Sequence, residues 1–555
     1  MVRDFLGFRG LLGGMRVRYL IFLLGFALVV VLGYWLAATA VPRRVVRADS
    51  SQLEESVGLK EGVDEVLREE RRGRRVTGRV IDIEAMEEGA LEGERVLVFK
   101  DPLAMAGYLA RMGGRVRLLG RLDALNALRV GFSDYADLLA TLEGDESESF
   151  LFPVSAPFPS EGGVQAGAVA LGNHLRDWLG ITGDNSDWGR GVLIAILDTG
   201  VAASSAFKSD IRSINLVDLP ADLSNQNGHG TAVASVLIGG NSLTPGVVPG
   251  ASIVSVRIAN ESGQSDSFLL AAGLVSAVDA GARLINVSMG SLGDSVLVRN
   301  AIQYALERGA LIVAAAGNYG ADSMSYPAAN AGVIAVGSVD ALGNHLDFSN
   351  AGESLALVAP GYGIYAAWTG DQAMSVSGTS FSAPIVVGSI AAIMTQSGAG
   401  NLTPSQAYQQ LVSYLNDGGV AGKDDQLGAG MPDIGRVLNA QTPGIYDAAV
   451  ASSRILGPDA GHPYGQAEIL IQNRGTEPLI NSEVRVNVGG GVVVMNITSL
   501  APNAVQTVCV PISQPATAVS ASICVDAQVV ISGGYQDAKP SNDRRVETYV
   551  KGVAP

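Results

Sequence analysis

Three polar residues of this chain stand where packing alone would not put them. Asp198 ends the apolar run VLIAIL (192–197) and is followed by Thr199 and Gly200. A carboxylate at the carboxyl end of a buried strand lies on the rim where α/β sheets build their sites. His229 is set in NGHGTAVA (227–234), where the flanking glycines let backbone approach closely. Ser380 is set in SGTSFSAP (377–384), just ahead of an apolar helix predicted over 385–394. Pro384 is tolerable in a first helical turn, whose amides have no intrahelical partner.

Residues of these types can carry out acyl transfer. Ser380 would be the nucleophile, His229 the base that takes its proton and returns it to the leaving group, and Asp198 the group that fixes the imidazole tautomer. A helix starting at Ser380 aims its amides and positive dipole end at the attacked carbonyl. Asn318, which follows the buried run LIVAA (311–315), can add a side-chain donor to the oxyanion. Singly, each residue has an ordinary explanation: a strand-end turn cap, a satisfied core histidine, a helix N-cap, a turn asparagine. Their occurrence together argues for a site.

The elements that must position them follow from the hydrophobic pattern. Residues 164–440 alternate continuous apolar runs (192–197, 253–256, 284–287, 311–315, 333–336) with small-residue helices such as 267–280 and 295–308. Strands buried on both faces read this way, so the fold class is α/β, a doubly wound, mostly parallel sheet. Upstream, 76–152 gives strand-helix-strand-strand-helix-strand, the ferredoxin-like order of a small α+β unit. Its predicted strands are 95–100, 115–119, 128–132 and 150–154, and Ser133 is the expected N-cap of its second helix. The acidic run 143–148 is read as a separator, and 153–163 as a Pro/Gly/Ser linker. Beyond 446, short alternating strands broken by Gly, Pro and Asn predict an all-β sandwich over 446–555.

Among 555 residues, 38 are basic and 54 acidic, for a net charge of -16, which argues against a nucleic-acid partner. Residues 19–41 are free of charge and long enough to cross the ~30 Å hydrocarbon core. Residues 1–41 are therefore read as a signal peptide or a membrane anchor, and 42–75 as a charged linker. The expected location is extracytoplasmic, either secreted or anchored in the membrane through an uncleaved N-terminal segment.

The Asp…His…Ser chain order, with GVLIAILDTGV (191–201), NGHGTAVASVLIG (227–239), LINVSMG (284–290), LIVAAAGN (311–318) and SGTSFSAPIVVGSIAAI (377–393), resembles the subtilisin-like serine proteases, or subtilases. The resemblance covers about half the chain. It implies a triad of Asp198, His229 and Ser380, with Asn318 and the Ser380 amide as oxyanion donors. It also implies that Ser288, Met289, Gly290 and Ala314, Ala315, Ala316, Gly317 line the substrate pocket. Residues 76–152 are similar to the family's inhibitory propeptide, which implies a cut inside 150–163. The downstream module resembles a CARDB-type immunoglobulin-like domain through QNRGT (472–476), SLAP (499–502) and Asp537, Asn542 and Asp543. Protein or peptide substrates, and the chain's own propeptide as inhibitor, are the partners so implied.

No cofactor is needed for such chemistry. The loop 417–425, with Asp417, Asp424 and Asp425, could ligate a structural calcium or be a solvated acidic turn. Cys509 and Cys524 lie in strand-like segments of the β module; export favours a disulfide between them, and two buried free thiols are the alternative. The function expected is an exported serine endopeptidase made as a zymogen. The rivals are a catalytically silent adhesion protein on a protease scaffold, and an esterase using the same triad.

Overall fold

Seven short strands, six of them largely apolar, pair side by side, all parallel, and form the central sheet of the computed structural model. They are β1 Leu193–Asp198, β2 Ile211–Asn215, β3 Ser252–Arg257, β4 Leu284–Val287, β5 Leu311–Ala315, β6 Val333–Val339 and β7 Leu357–Pro360. Their spatial order is β7-β6-β5-β4-β1-β3-β2, so the winding changes side at β1 and opens a crevice at its carboxyl end. The structure describes residues 74–76, 79–81, 83–144, 146–157, 165–217, 227–396, 402–512 and 522–550. The apolar run 19–41, nearly all of the charged stretch 42–75 and most of the linker 153–163 lie outside the described residues.

Four helices matter for the site: α1 His229–Ile238, α2 Ser267–Asp279, α3 Val296–Glu307 and α4 Thr379–Gln396. Side chains alternate across a strand, and β1 shows the consequence. Ile194 and Ile196 join the core with α1 and α4, whereas Ala195 and Leu197 join the core with α2 and α3. Helix α4 is buried from Thr379 to Ile393, at roughly 1.5–3 kcal/mol for each large aliphatic side chain. Among the described residues it is the one helix long and apolar enough to cross a membrane, and 83% of it is buried within the fold, as a core helix.

The ferredoxin-like order is present upstream: strands Glu94–Phe99, Val116–Leu122, Ala127–Phe132 and Glu146–Ser149 form one antiparallel sheet with helices Pro102–Arg111 and Tyr135–Leu139. Two expectations are corrected. The acidic run is itself the last strand, not a separator: Glu146 pairs with Arg111, and Glu148 with the buried Arg95 at 2.8 Å. The second helix is capped by Asp134, which accepts from the Ala136 amide, rather than by Ser133.

Downstream, a three-stranded sheet (Ala448–Leu456, Gln466–Asn473, Val505–Pro511) packs against a four-stranded one (Leu479–Val488, Gly491–Leu500, Ser522–Val530, Arg544–Val550) around a shared aliphatic core. The expected Cys509–Cys524 disulfide is absent: both thiols are free and exposed. Val508 and Val510 on one sheet and Val525 on the other point into the core. By alternation, Cys509 and Cys524 therefore face outward from opposite sheets, with the core between them. At the inner edge of this module, burial and the neighbouring Asp537 and Asp447 push the Asp543 carboxyl up to about 7.

The sandwich is bonded to the α/β domain at several points. Gln472 donates to the Leu415 carbonyl at 3.1 Å and accepts from the Asp417 amide at 3.0 Å. Ser452 donates to the Gly419 carbonyl at 2.7 Å, and Arg545 to Asn344 Oδ1 at 2.7 Å.

Candidate active site

Asp198 is fully buried at the end of β1, and His229 is the first residue of α1. His229 Nδ1 lies 2.8 Å and 3.0 Å from the two Asp198 oxygens. A carboxylate can only accept, so Nδ1 carries the hydrogen and Nε2 is left as the base. Asp198 Oδ1 also accepts from the Thr199 amide at 2.7 Å, and Thr199 Oγ1 accepts from the Gly230 amide at 3.1 Å. Gly230 has to be glycine: a Cβ there would sit 2.4 Å from the Gly200 carbonyl oxygen and 3.1 Å from Asp198 Oδ1. The Phe381 ring, 5.5 Å from the imidazole, covers His229 from α4.

Ser380 is the second residue of α4 and is buried. Its hydroxyl donates to the Ser288 carbonyl at 3.0 Å, and Ser288 Oγ donates back to the Ser380 carbonyl at 2.6 Å. His229 Nε2 is buried without a hydrogen-bond partner among the described residues. The Asp198–His229 pair is thus closed, while the Ser380 hydroxyl faces the Ser288 carbonyl. Nucleophile–base bonds of this kind commonly tighten only once substrate is bound.

Asn318 follows β5. Its Oδ1 accepts from the Thr379 amide and hydroxyl, both at 2.9 Å, which fixes the amide plane. Its Nδ2 lies 3.2 Å from where a Gly378 Cβ would be, beside the turn into α4. The Ser380 amide is in the first helical turn, where no intrahelical acceptor is available. Two donors therefore flank the Ser380 turn. Thr379 was not singled out from sequence, although its place inside SGTS is the signal that could have found it.

The predicted pocket segments divide. Ser288 and Met289 are buried, and Ala314 and Ala315 belong to the cores on opposite faces of the sheet. Ala316 is buried, and Gly317 packs against Ser325 and Asn350. Gly290 exchanges two backbone bonds with Ser155, at 3.0 and 3.1 Å. Residues Pro153–Ser155 also pair antiparallel with Gln264–Asp266, a strand that sequence reasoning missed because its polar residues carry no apolar pattern. Continuing the Ser155–Gly290 register by two residues puts Pro157 opposite Ser288.

The loop 417–425 uses its carboxylates on backbone. Asp417 accepts from the Gly418 and Gly422 amides, and Asp424 from those of Val420, Gln426 and Leu427. Among the described residues no group of three or more His, Cys, Asp or Glu side chains is placed to hold a metal ion.

Residues 189–430 match the Subtilase family (Peptidase S8). The M-protease of Shouchella clausii (strain KSM-K16) is 36% identical over 233 residues, which is 41% of this chain and 59% of that protein. Subtilisin Savinase of Lederbergia lenta is 34% identical over 248 residues, 44% of this chain and 89% of that protein. The epidermin leader peptide processing serine protease of Staphylococcus aureus shares the fold, with a TM-score of 0.53 and 20% identity over 63% of this chain and 99% of that one. The matched domain is that of a serine-type endopeptidase. The chain belongs to the subtilase family.

Proposed function

We propose that this protein is an exported serine endopeptidase, made as a zymogen and acting on protein or peptide substrates. The observation that carries the reading is the buried His229–Asp198 pair at the same sheet rim as Ser380 and Asn318. Ser380 Oγ attacks the substrate carbonyl while His229 Nε2 takes its proton. The tetrahedral oxyanion is held by the Ser380 amide and Asn318 Nδ2. Collapse breaks the C–N bond, and His229 returns the proton to the leaving amine. Water, deprotonated by His229, then hydrolyses the acyl-enzyme and restores Ser380. These steps use no cofactor.

The zymogen reading is supported by the ferredoxin-like unit that precedes the catalytic domain and by the strand Pro153–Ser155, which lies against the segment expected to bind substrate. An extended peptide adding a strand there gains main-chain bonds while pockets read alternate side chains. The linker 153–163 is the proposed processing region. Export is supported by the charge-free run 19–41. The downstream sandwich is proposed to be a CARDB-type module that docks substrate, surface or partner. Labelling by a serine-directed phosphonate, lost in Ser380→Ala, tests the catalytic reading; casein cleavage against that of a simple ester separates peptidase from esterase.

A further inference from the structure

The strand lying in the cleft is read by side-chain pockets at every second residue. From Phe152 onward burial alternates: Phe152, Val154 and Ala156 are buried at 6%, 1% and 6% exposure, while Pro153 and Ser155 are exposed. Val154 and Ala156 enter the core beneath α2 and α3. Phe152 does something different. Its backbone is clamped by Ser267, whose amide donates to the Phe152 carbonyl at 2.9 Å and whose Oγ accepts from the Phe152 amide at 3.1 Å. Its ring occupies the place of a side chain at Gly293: a Cβ at that position would fall 2.0 Å from a ring carbon. Gly293 has no positive φ that would call for glycine, so the missing side chain is accounted for by the ring.

We infer that Gly293 and Ser267 form a recognition slot for an aromatic side chain, two residues upstream of the buried aliphatic position. The enzyme would then select extended peptides of the pattern aromatic-x-aliphatic-x-small from other proteins, as it holds its own segment 152–156. This rests on the peptidase reading above and names its substrate class. The slot sits at the N-terminal end of α2 and beside the loop after β4, far along the strand from Ser380. It adds binding selectivity without touching the reacting atoms.

The test uses protein purified after expression of the full chain and two quenched peptides. One carries FPVSAPFP, the chain's own 152–159, and the other has Ala in place of the first Phe. Full burial of a Phe ring predicts a fall in kcat/KM of about tenfold or more for the Ala peptide. In Gly293→Val, which fills the slot, the ratio between the two peptides should fall to about one. Before the upstream unit is released, Phe152→Ala should loosen the tail and speed phosphonate labelling of Ser380 by a similar factor, a readout that needs no altered slot. Equal rates on both peptides with normal labelling overturn the slot and leave the peptidase reading standing. Absence of both cleavage and labelling overturns the peptidase reading and the slot with it.

Discussion

The hydroxyl of Ser380 donates to the carbonyl of Ser288 at 3.0 Å, and the imidazole of His229 is left without that bond. Ser288 is also the residue that Pro157 would face if the Ser155–Gly290 register ran on by two residues. A proline has no N–H to offer its partner carbonyl. In that register the serine hydroxyl would take the acceptor that a residue with an N–H would otherwise use.

Ser380→Ala should remove phosphonate labelling and proteolysis together. If the chain cuts itself, this variant should also keep the 76–152 segment covalently attached, which mass analysis of the purified protein would show. A processed Ser380→Ala protein would mean that another protease makes the cut.

Asp198→Asn should lower kcat by about 10⁴ with KM little changed, because the imidazole loses its fixed tautomer. Asn318→Ala should lower kcat by roughly 10²–10³, the loss known from removing one oxyanion donor in subtilisin itself. Steady-state kinetics on a casein-derived peptide would check both, and an unchanged kcat for Asn318→Ala would refute its oxyanion role.

Arg129 joins the ferredoxin-like unit to the catalytic domain. It pairs with Glu94 at 2.6 Å and, across the interface, with Asp266 at 2.7 Å, the residue that caps α2. Arg129→Met should weaken this hold by about 1.5–3 kcal/mol. The expected result is faster release of the upstream unit after cleavage at the linker, followed by size-exclusion chromatography, with the wild type approaching the variant as salt rises.

Stability should carry an acid signature from the sandwich edge. Asp543, pushed up to about 7 by burial, Asp537 and Asp447, stays protonated in the folded state after its unfolded counterpart has ionised near 4. Between those values the folded state binds the extra proton, so stability falls as pH rises from about 4 to about 7. Lys539 and Arg474 draw the neighbouring Asp447 carboxyl down against its own burial. Asp543→Asn should gain a few degrees of melting temperature over the wild type at pH 7.5 and none at pH 3.5, and an equal difference at both values would exclude this origin.

What was legible from the residues depended on whether the cause was local. Asp198 stood out because an aliphatic strand ends on a charge, and His229 because glycines flank it. The strand Glu146–Ser149 was illegible because its partners lie elsewhere: ESES shows no apolar alternation, and Arg95, Arg111 and Tyr135 are what satisfy its acids. The pairing of Pro153–Ser155 with Gln264–Asp266 joins segments about a hundred residues apart, and neither announces the other. The cysteines are the opposite case. The alternation Val508-Cys509-Val510 already points the thiol away from the core, and compartment reasoning overrode it.

The bonds from Gln472, Ser452 and Arg545 to the α/β domain have a mechanical consequence. A module tied down at several places works as a gauge rather than a leash. If the sandwich docks substrate as proposed, whatever it grips would be held at a constant offset from the crevice, so reach, and not affinity alone, would set which bonds of a captured polymer can be cut.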